Sequence, residues 1–530
     1  MTIEHDDPSA RVSRRAFLRR LGIGAAASGA PAVLRVGPAR ARTAARRPPT
    51  GREDRFGRLF PRLPSFAQPG PALEAALLEL GRPGGLLDAR DPLDRGPVDL
   101  IADLALSANN PDNPTHTAGV TFMGQFMDHD MTFDLSSRLA VPVDPRDAPN
   151  SRTPALDLDS LYGAGPAWER DLYEPSGGRA LPTKFRVEHG GLFEDLPRAA
   201  DGTALIADPR NDENLVIAGL HAAFLLFHNA VVDLVARRHP GAGADEVFRR
   251  ARQLVTWHYQ WMVVHEFLPL FIGPARTADI LARRRPGIAR ADDGVIPVEF
   301  QGAAYRFGHS MVRPSYRANL AGDRGQAFFA LVFDPTQEGV GDPGDLRGGA
   351  RAPRRFVGWQ TFFDFGDGQA RPNKLIDTRI STPLFDLPVG AIAAGGGPTS
   401  LPQRNLLRHI TWQLPSGQSI ARALDEPVLS AGDLDELRAF DLGLEVSTPL
   451  WYYVLKEAEV MEGGLHLGPV GGRLVGEVIV GLLRADPESF LSGDPRWRPT
   501  LPARNGRVTG DFRMVDLLTL AGVDPTSRGQ

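Results

Sequence analysis

Gln125 and His129 stand four residues apart in the run Gly124-Gln-Phe-Met-Asp-His-Asp-Met-Thr-Phe-Asp134, and Asp130 follows directly. On a helix the first two share a face, and Asp130 lies about 100° further round. One face can then present an imidazole acid/base with an amide neighbour to a pocket, while the next offers a carboxylate to a metal. A histidine flanked by Asp128 and Asp130 among Phe126 and Met127 is costly unless every polar group has a partner. Taken alone, the run also fits a hydrogen-bonded, partly buried histidine with no chemical role.

Four further runs carry chemistry. In an extended loop over Thr153-Pro-Ala-Leu-Asp-Leu-Asp-Ser-Leu-Tyr-Gly163, the positions Thr153, Ala155, Asp157 and Asp159 point to one side. Hydroxyl, carbonyl and carboxylate oxygens in that arrangement suit Ca²⁺. A solvated strand with an alternating polar face accounts for it equally well, and an acid from elsewhere, such as Asp130, decides for calcium. In Asp208-Pro-Arg-Asn-Asp-Glu-Asn214, Asp212 or Asn211 can cap the helix that follows and Glu213 suits its first turn. Capping leaves Arg210 unexplained, and a fixed guanidinium there can clamp an anion or a developing negative charge. In Tyr305-Arg-Phe-Gly-His-Ser-Met-Val312, Gly308 beside His309 permits close approach of a flat ligand or of another helix. Arg404-Asn-Leu-Leu-Arg408 supplies an amide, Asn405, that can orient a ligand histidine, and a cation, Arg408, that can pair with acids.

The elements that must hold these groups are mostly helical. Apolar residues recur at spacings of three and four over 215–238 and 244–272, which predicts two long core helices, and similar patterns cover 97–108, 119–133, 433–440, 448–461 and 472–484. Strand patterns are few. The expected architecture is mainly α, a single large catalytic domain over 76–530 with little β structure, preceded by a Pro/Arg-rich linker or arm over 42–75. The tracts 339–355 and 393–402 read as surface loops between helices.

Composition narrows the function further. The 530 residues include no cysteine, which removes disulfides, thiolate nucleophiles and Cys-ligated metals, so any metal must use His, carboxylate or carbonyl groups. A formal net charge of −4 argues against a nucleic-acid partner. No stretch approaches the length of a membrane span in this reading. Ser13-Arg-Arg-Ala-Phe-Leu-Arg19, the weakly apolar run after it and Ala39-Arg-Ala41 form a twin-arginine pattern. Residues 1–41 are therefore expected to be an export signal read by the twin-arginine machinery, delivering the protein to the periplasm or the exterior.

Together the runs resemble the animal-type haem peroxidase superfamily in its bacterial branch, in order, over roughly 97–520. The GQxxDHD, TPxLDLxxxYG, DPRxxEN and RxGH blocks carry the likeness. The resemblance implies a helical haem-peroxidase domain in which His129 is the distal acid/base, with Gln125 as its pocket neighbour and Arg210 as the distal arginine. It implies His309 as the proximal iron ligand oriented by Asn405, and Arg306 and Arg408 against the haem propionates. Asp130, Thr153, the Ala155 carbonyl, Asp157 and Asp159 would hold calcium. Asp128 and Glu213 match positions that esterify haem b in mammalian members, while Asn214 stands where a sulfonium-forming methionine would be.

The implied activity is reduction of hydrogen peroxide through a ferryl intermediate, with oxidation of a small donor such as a halide, thiocyanate or phenol. A haem-dependent fatty-acid dioxygenase is the alternative within the superfamily. Its radical tyrosine would lie three residues before His309, where this chain has Arg306, and on an α-helix Tyr305 is rotated about 100° from that position. A non-catalytic extracellular haem-binding adhesion protein is the second alternative, and intact His129, Gln125 and Arg210 argue against it. His221, His228, His258 and His265, with Glu266, imitate a dinuclear helical-bundle site, but no Glu-x-x-His pair occurs and these read as core histidines.

Overall fold

The computed structural model describes residues 55–176, 181–189, 193–283, 295–391 and 396–528; the expected export signal lies outside the described residues. The helices that build the site are α1 (Ala118–Met131), α2 (Leu215–Arg238), α3 (Ala244–Met262), α4 (Leu268–Ile272), α5 (Leu401–Thr411), α6 (Leu450–Glu462) and α7 (Pro469–Ala485). Strands among the described residues form two-stranded pieces only. The longest is the antiparallel hairpin of Ser315–Asp323 with Gln326–Leu331, where Ser315 faces Leu331 and Tyr316 faces Ala330. Another pairs Asp112 with Lys374 just ahead of α1. The mainly α expectation holds.

α2 is the central rod. Asn214 caps it, its Oδ1 accepting from the N–H groups of Val216 and Ile217, and Arg237 and Arg238 close it where the helix dipole is negative. Asn214, not Asp212 or Asn211, is thus the cap: Asp212 is paired with Arg198 at 2.7 Å instead. In length and composition this helix could cross a membrane, contrary to the sequence reading, yet 83% of its most apolar stretch is buried by the rest of the protein. Gly219 lets the segment at Val357 and Trp359 come close, since a Cβ there would sit 2.8 Å from Val357 Cγ2.

α3 packs along α2, and the single helix expected over 244–272 is interrupted. A π-helical turn over Val263–Phe267 joins α3 to α4. Pro269 lies in the first turn of α4, has no N–H for the preceding turn, and its ring crowds the carbonyl behind it; the widened turn absorbs both. The run over 435–440 and the one carrying His309 (Ala304–His309) are 3₁₀ turns, not α-helices.

Two regions read as loosely attached are built in. Within 339–355, Asp345, Leu346 and Arg355 are buried, and Arg355 donates to the carbonyls of Pro343 and Asp345. Leu346 accepts from the N–H of Leu215, so this tract seats the start of α2. The described part of the arm also packs down, with Phe56 and Phe66 in the core and the buried Glu299 accepting from the N–H groups of Leu59 and Phe60 at 3.1 Å each. Glu299→Ala would strand those two donors, and its urea midpoint should fall by the equivalent of about 2 kcal/mol, with faster proteolysis around residues 58–68. An unchanged midpoint would show that the arm is not anchored there.

Candidate active site

α1 is positioned at both ends. Its first N–H groups donate to the carbonyls of Arg371 and Phe362, and at its other end Asn150 Nδ2 donates to the Met131 carbonyl at 2.9 Å. The helix so held presents Gln125, Asp128 and His129 to a cavity of about 240 Å³, whose opposite wall is the 3₁₀ turn with Tyr305, Arg306, Gly308 and His309. Arg210 and Glu213 come to it from the segment before α2, and Arg404 and Arg408 from α5. Residues scattered over nearly 300 positions of sequence therefore share one chamber.

His129 is buried, and its Nδ1 lies 2.8 Å from Asn211 Oδ1. The oxygen can only accept, so Nδ1 carries the proton and Nε2 keeps its lone pair. Burial, then the nearby Arg210 charge, lowers the imidazole to about 4, so it is neutral at physiological pH. Gln125 bridges the neighbouring wall: its Nε2 donates to Glu213 Oε2 and its Oε1 accepts from Asn214 Nδ2, both at 3.2 Å. Burial pushes the Glu213 carboxyl up to about 8.

Arg210 is more tightly held than its sequence suggests. Nε and Nη2 donate to Asp208 at 3.0 and 2.7 Å, Nη2 also to the carbonyls of His129 and Thr132, and the guanidinium stacks 4.1 Å from the Phe133 ring. Nη1 is the nitrogen left over for a ligand. Asp208 is fully buried between Arg210 and Arg152; burial alone would raise its carboxyl, and the two guanidiniums outweigh that and hold it well below the usual range. Sequence reasoning gave Asp208 and Arg152 no role, and no local pattern signals them because they meet only in the fold.

On the side of α1 away from the cavity, Asp130 converges with Asp157 and Asp159, their carboxylate oxygens within 4.8 Å of one another. The loop is not the extended strand expected. Leu158 is left-handed (φ 59°), which folds the chain so that Asp157 and Asp159 turn together, and its N–H donates to Asp130 Oδ2 at 3.1 Å. Thr153 contributes its N–H to Asp159 Oδ2, and the Ala155 N–H donates to the Thr153 carbonyl. Burial and mutual repulsion raise the carboxyls of Asp130 and Asp159, the condition a cation would relieve.

The opposite wall has the donors and the space that a haem requires. Asn405 Nδ2 lies 2.7 Å from His309 Nδ1 while Asn405 Oδ1 is buried without a partner. Turning the amide over gives that oxygen the Nδ1–H as donor and leaves Nε2 with the lone pair a metal requires. A Cβ at Gly308 would meet nothing within 4 Å, so the chamber is open beside His309. Arg306 donates through Nε to the Gln301 carbonyl at 2.8 Å, Arg408 Nε is buried without a partner, and neither guanidinium forms an ion pair among the described residues. Burial and the Arg408 charge lower Arg306 to about 9, with Asp128 and Asp134 only partly offsetting them, so an added anion would relieve the strain. A flat metal-bearing ring with two carboxylates answers each of these demands, so the residues fit haem.

Tyr305 departs from expectation. In the tight 3₁₀ turn it and Arg306 both line the cavity, and the Tyr305 hydroxyl reaches across to donate to the Gly124 carbonyl at 3.1 Å. His228 and His258 are core residues as expected, the first bonding Tyr162 and the Thr183 carbonyl and the second the Leu254 carbonyl; His265 is not, being exposed and stacked on Trp261. His221 is buried against Phe126 and meets Asn211.

Residues 136–328 match the animal haem peroxidase family model. A dual oxidase of Drosophila melanogaster is 29% identical over 33% of this chain and 12% of its own length, so the chain spans only a small part of such relatives. Among solved structures, peroxidase A from Dictyostelium discoideum superposes with a TM-score of 0.58 at 18% identity, covering 88% of this chain and 93% of its own. A fatty acid alpha-dioxygenase of Arabidopsis thaliana gives 0.51 at 14% identity over 82% and 73%. These likenesses show the fold. His129 and Asn405 lie outside the family match.

Arg152→Ala would leave Asp208 buried with one guanidinium in place of two. A loss of about 3 kcal/mol in denaturant unfolding is expected, partly recovered by Arg152→Lys. Equal stability of Arg152→Ala and the parent would show that the shared pair carries nothing.

Proposed function

We propose that this chain, a member of the animal haem peroxidase superfamily, reduces hydrogen peroxide at a haem b and oxidises a small donor, a halide, thiocyanate or phenol. One observation carries the proposal: a neutral His129 with Nε2 free and a His309 backed by Asn405 face one chamber, which Arg306 and Arg408 also line without an ion pair among the described residues. His309 would ligate the iron, with its Nδ1–H donating to Asn405, and Arg306 and Arg408 would pair with the propionates. Asp128 and Glu213 are the carboxylates available for ester attachment, and Asn214 supplies no sulfur.

Haem, if held there, would supply the two-electron redox chemistry that links peroxide reduction to oxidation of the donor. The protein's own work is proton handling and charge. His129 Nε2 takes the proton of the incoming peroxide and returns it to the leaving oxygen, and Arg210, through Nη1, offsets the negative charge that develops. Gln125, fixed between Glu213 and Asn214, keeps that wall rigid. Asp130, Asp157 and Asp159, with Thr153 and the Ala155 carbonyl, are proposed to hold Ca²⁺ and so to fix the helix one residue from His129. Export through the twin-arginine machinery rests on residues 13–41 alone.

The second reading, fatty-acid dioxygenase, is favoured by Tyr305 lining the chamber and by the dioxygenase-like fold. Against it, Arg306 occupies the radical position and the Tyr305 hydroxyl is engaged with a carbonyl.

The purified protein should show a Soret band that His309→Ala loses, and should turn over peroxide with a phenolic or halide donor. Rapid oxygen uptake with an unsaturated fatty acid, abolished by Tyr305→Phe, would reverse the ranking, and a protein without a Soret band would end both readings. Chelation should lower the melting temperature and slow peroxide reduction, with calcium restoring both; Asp157→Asn should lose that calcium response.

A further inference from the structure

Asn211 and His221 have no catalytic part in the scheme above, yet Asn211 holds the His129 ring from behind and His221 holds Asn211. The ring of His129 meets Asn211 Oδ1 at 2.8 Å through Nδ1, and Asn211 Nδ2 meets Nδ1 of His221 at 2.9 Å. All three side chains are buried, with Asn211 fully so. His221 sits on α2 about two turns beyond its cap, and Phe126, one helical turn from His129, packs against its ring.

An amide has one end that only accepts and one that only donates. Held between two imidazoles, it must therefore make them opposite. The ring facing Oδ1 carries its proton on Nδ1 and keeps a lone pair on Nε2; the ring facing Nδ2 accepts at Nδ1 and carries its proton on Nε2. If the amide turned over, the two rings would exchange tautomers, and His129 would present N–H to the chamber where a base is needed. We infer that Asn211 and His221 are positioning residues for the peroxide reaction: His221 accepts from the Asn211 amide, which fixes Oδ1 toward His129 and keeps His129 Nε2 free to take a proton. The inference rests on the haem peroxidase reading and adds to it a pair of residues and a tautomer.

The pair has a second effect. Asn211 is the residue after Arg210, so the bond that sets the tautomer also ties the arginine's backbone to α1 and α2 at once. Base and cation are thereby held in register by adjacent residues of one short 3₁₀ turn.

The test compares two small ligands of the haem-loaded protein. Hydrogen cyanide must give up a proton to bind as cyanide, whereas carbon monoxide binding to the reduced protein has no proton to deliver. In Asn211→Leu, association of cyanide should slow about 10²-fold, the scale of a lost general base, with carbon monoxide association within twofold of the parent. Asn211→Asp, which still accepts from Nδ1–H, should restore fast cyanide association, and His221→Phe should fall between. In the diamagnetic carbon monoxide complex of the parent, ¹⁵N-histidine spectra should assign the proton of His129 to Nδ1 and that of His221 to Nε2. Equal slowing of both ligands, an unslowed cyanide reaction in Asn211→Leu, or the reverse tautomers would overturn the inference while leaving the haem reading intact. Absence of a Soret band in the parent would remove the haem reading, and this inference with it.

Discussion

Asp208 is a carboxylate with no access to water, and its charge is tolerable only because two guanidiniums share it. Much of the site hangs from that requirement. Arg210 spends most of its donors on Asp208 and on the carbonyls at the end of α1, which fixes its remaining nitrogen toward the chamber. Arg152 brings with it the loop that begins at Thr153 and lies 3.7 Å from Asp159. The acidic loop, the arginine and the end of the helix bearing His129 are thus one electrostatic unit, whose parts cannot be shifted singly without exposing a buried charge.

The two walls of the chamber are stabilised in opposite ways. The wall with His129 is internally complete: His129, Asn211, Gln125, Glu213 and Asn214 satisfy one another. The wall with His309 is incomplete, with Arg408 Nε and Gln301 Oε1 buried without partners, one end of the Asn405 amide unpaired whichever way it is turned, and open space over Gly308. Buried polar groups left unpaired are expensive, so the asymmetry supports placing the proposed haem against the wall with His309. The acidic loop also gathers like charge in a small space, since the carboxylate oxygens of Asp130, Asp157 and Asp159 lie within 4.8 Å of one another.

How much of this the sequence disclosed follows from the range of the interactions. Helical periodicity placed α2 to the residue, and the Gln125/His129 spacing put both on one face, because these are local patterns. The cap of α2 was misplaced by two or three residues, since Asn211, Asp212 and Asn214 are all competent caps and only the tertiary partners of the first two, His129 and Arg198, leave Asn214 to do it. The acids of 157–159 were found for the right composition but by the wrong geometry: the left-handed turn at Leu158 carries no Gly or Asn to announce it. Arg152 with Asp208, and Asn211 with His221, were invisible because each pair joins side chains whose meeting is decided by packing. Arg355 within 339–355 reads as a polar loop residue, and its burial depends on carbonyls that only the folded tract supplies.

Tyr305 shows how one hydrogen bond weighs on the choice between two chemistries. Oxidising a phenol to a neutral radical removes an electron and a proton together, so the hydroxyl needs a base to receive the proton. Its partner here is the Gly124 carbonyl, which accepts a hydrogen bond but is far too weak a base to take a proton from it. Burial raises the phenol well above its ordinary range, so ionising it first is no easier. The hydroxyl is also committed to α1, and freeing it for a substrate would cost the bond that spans the two walls. A tyrosine can therefore line the chamber and still be a poor conduit for oxidising equivalents, which is the physical ground for proposing a diffusible donor.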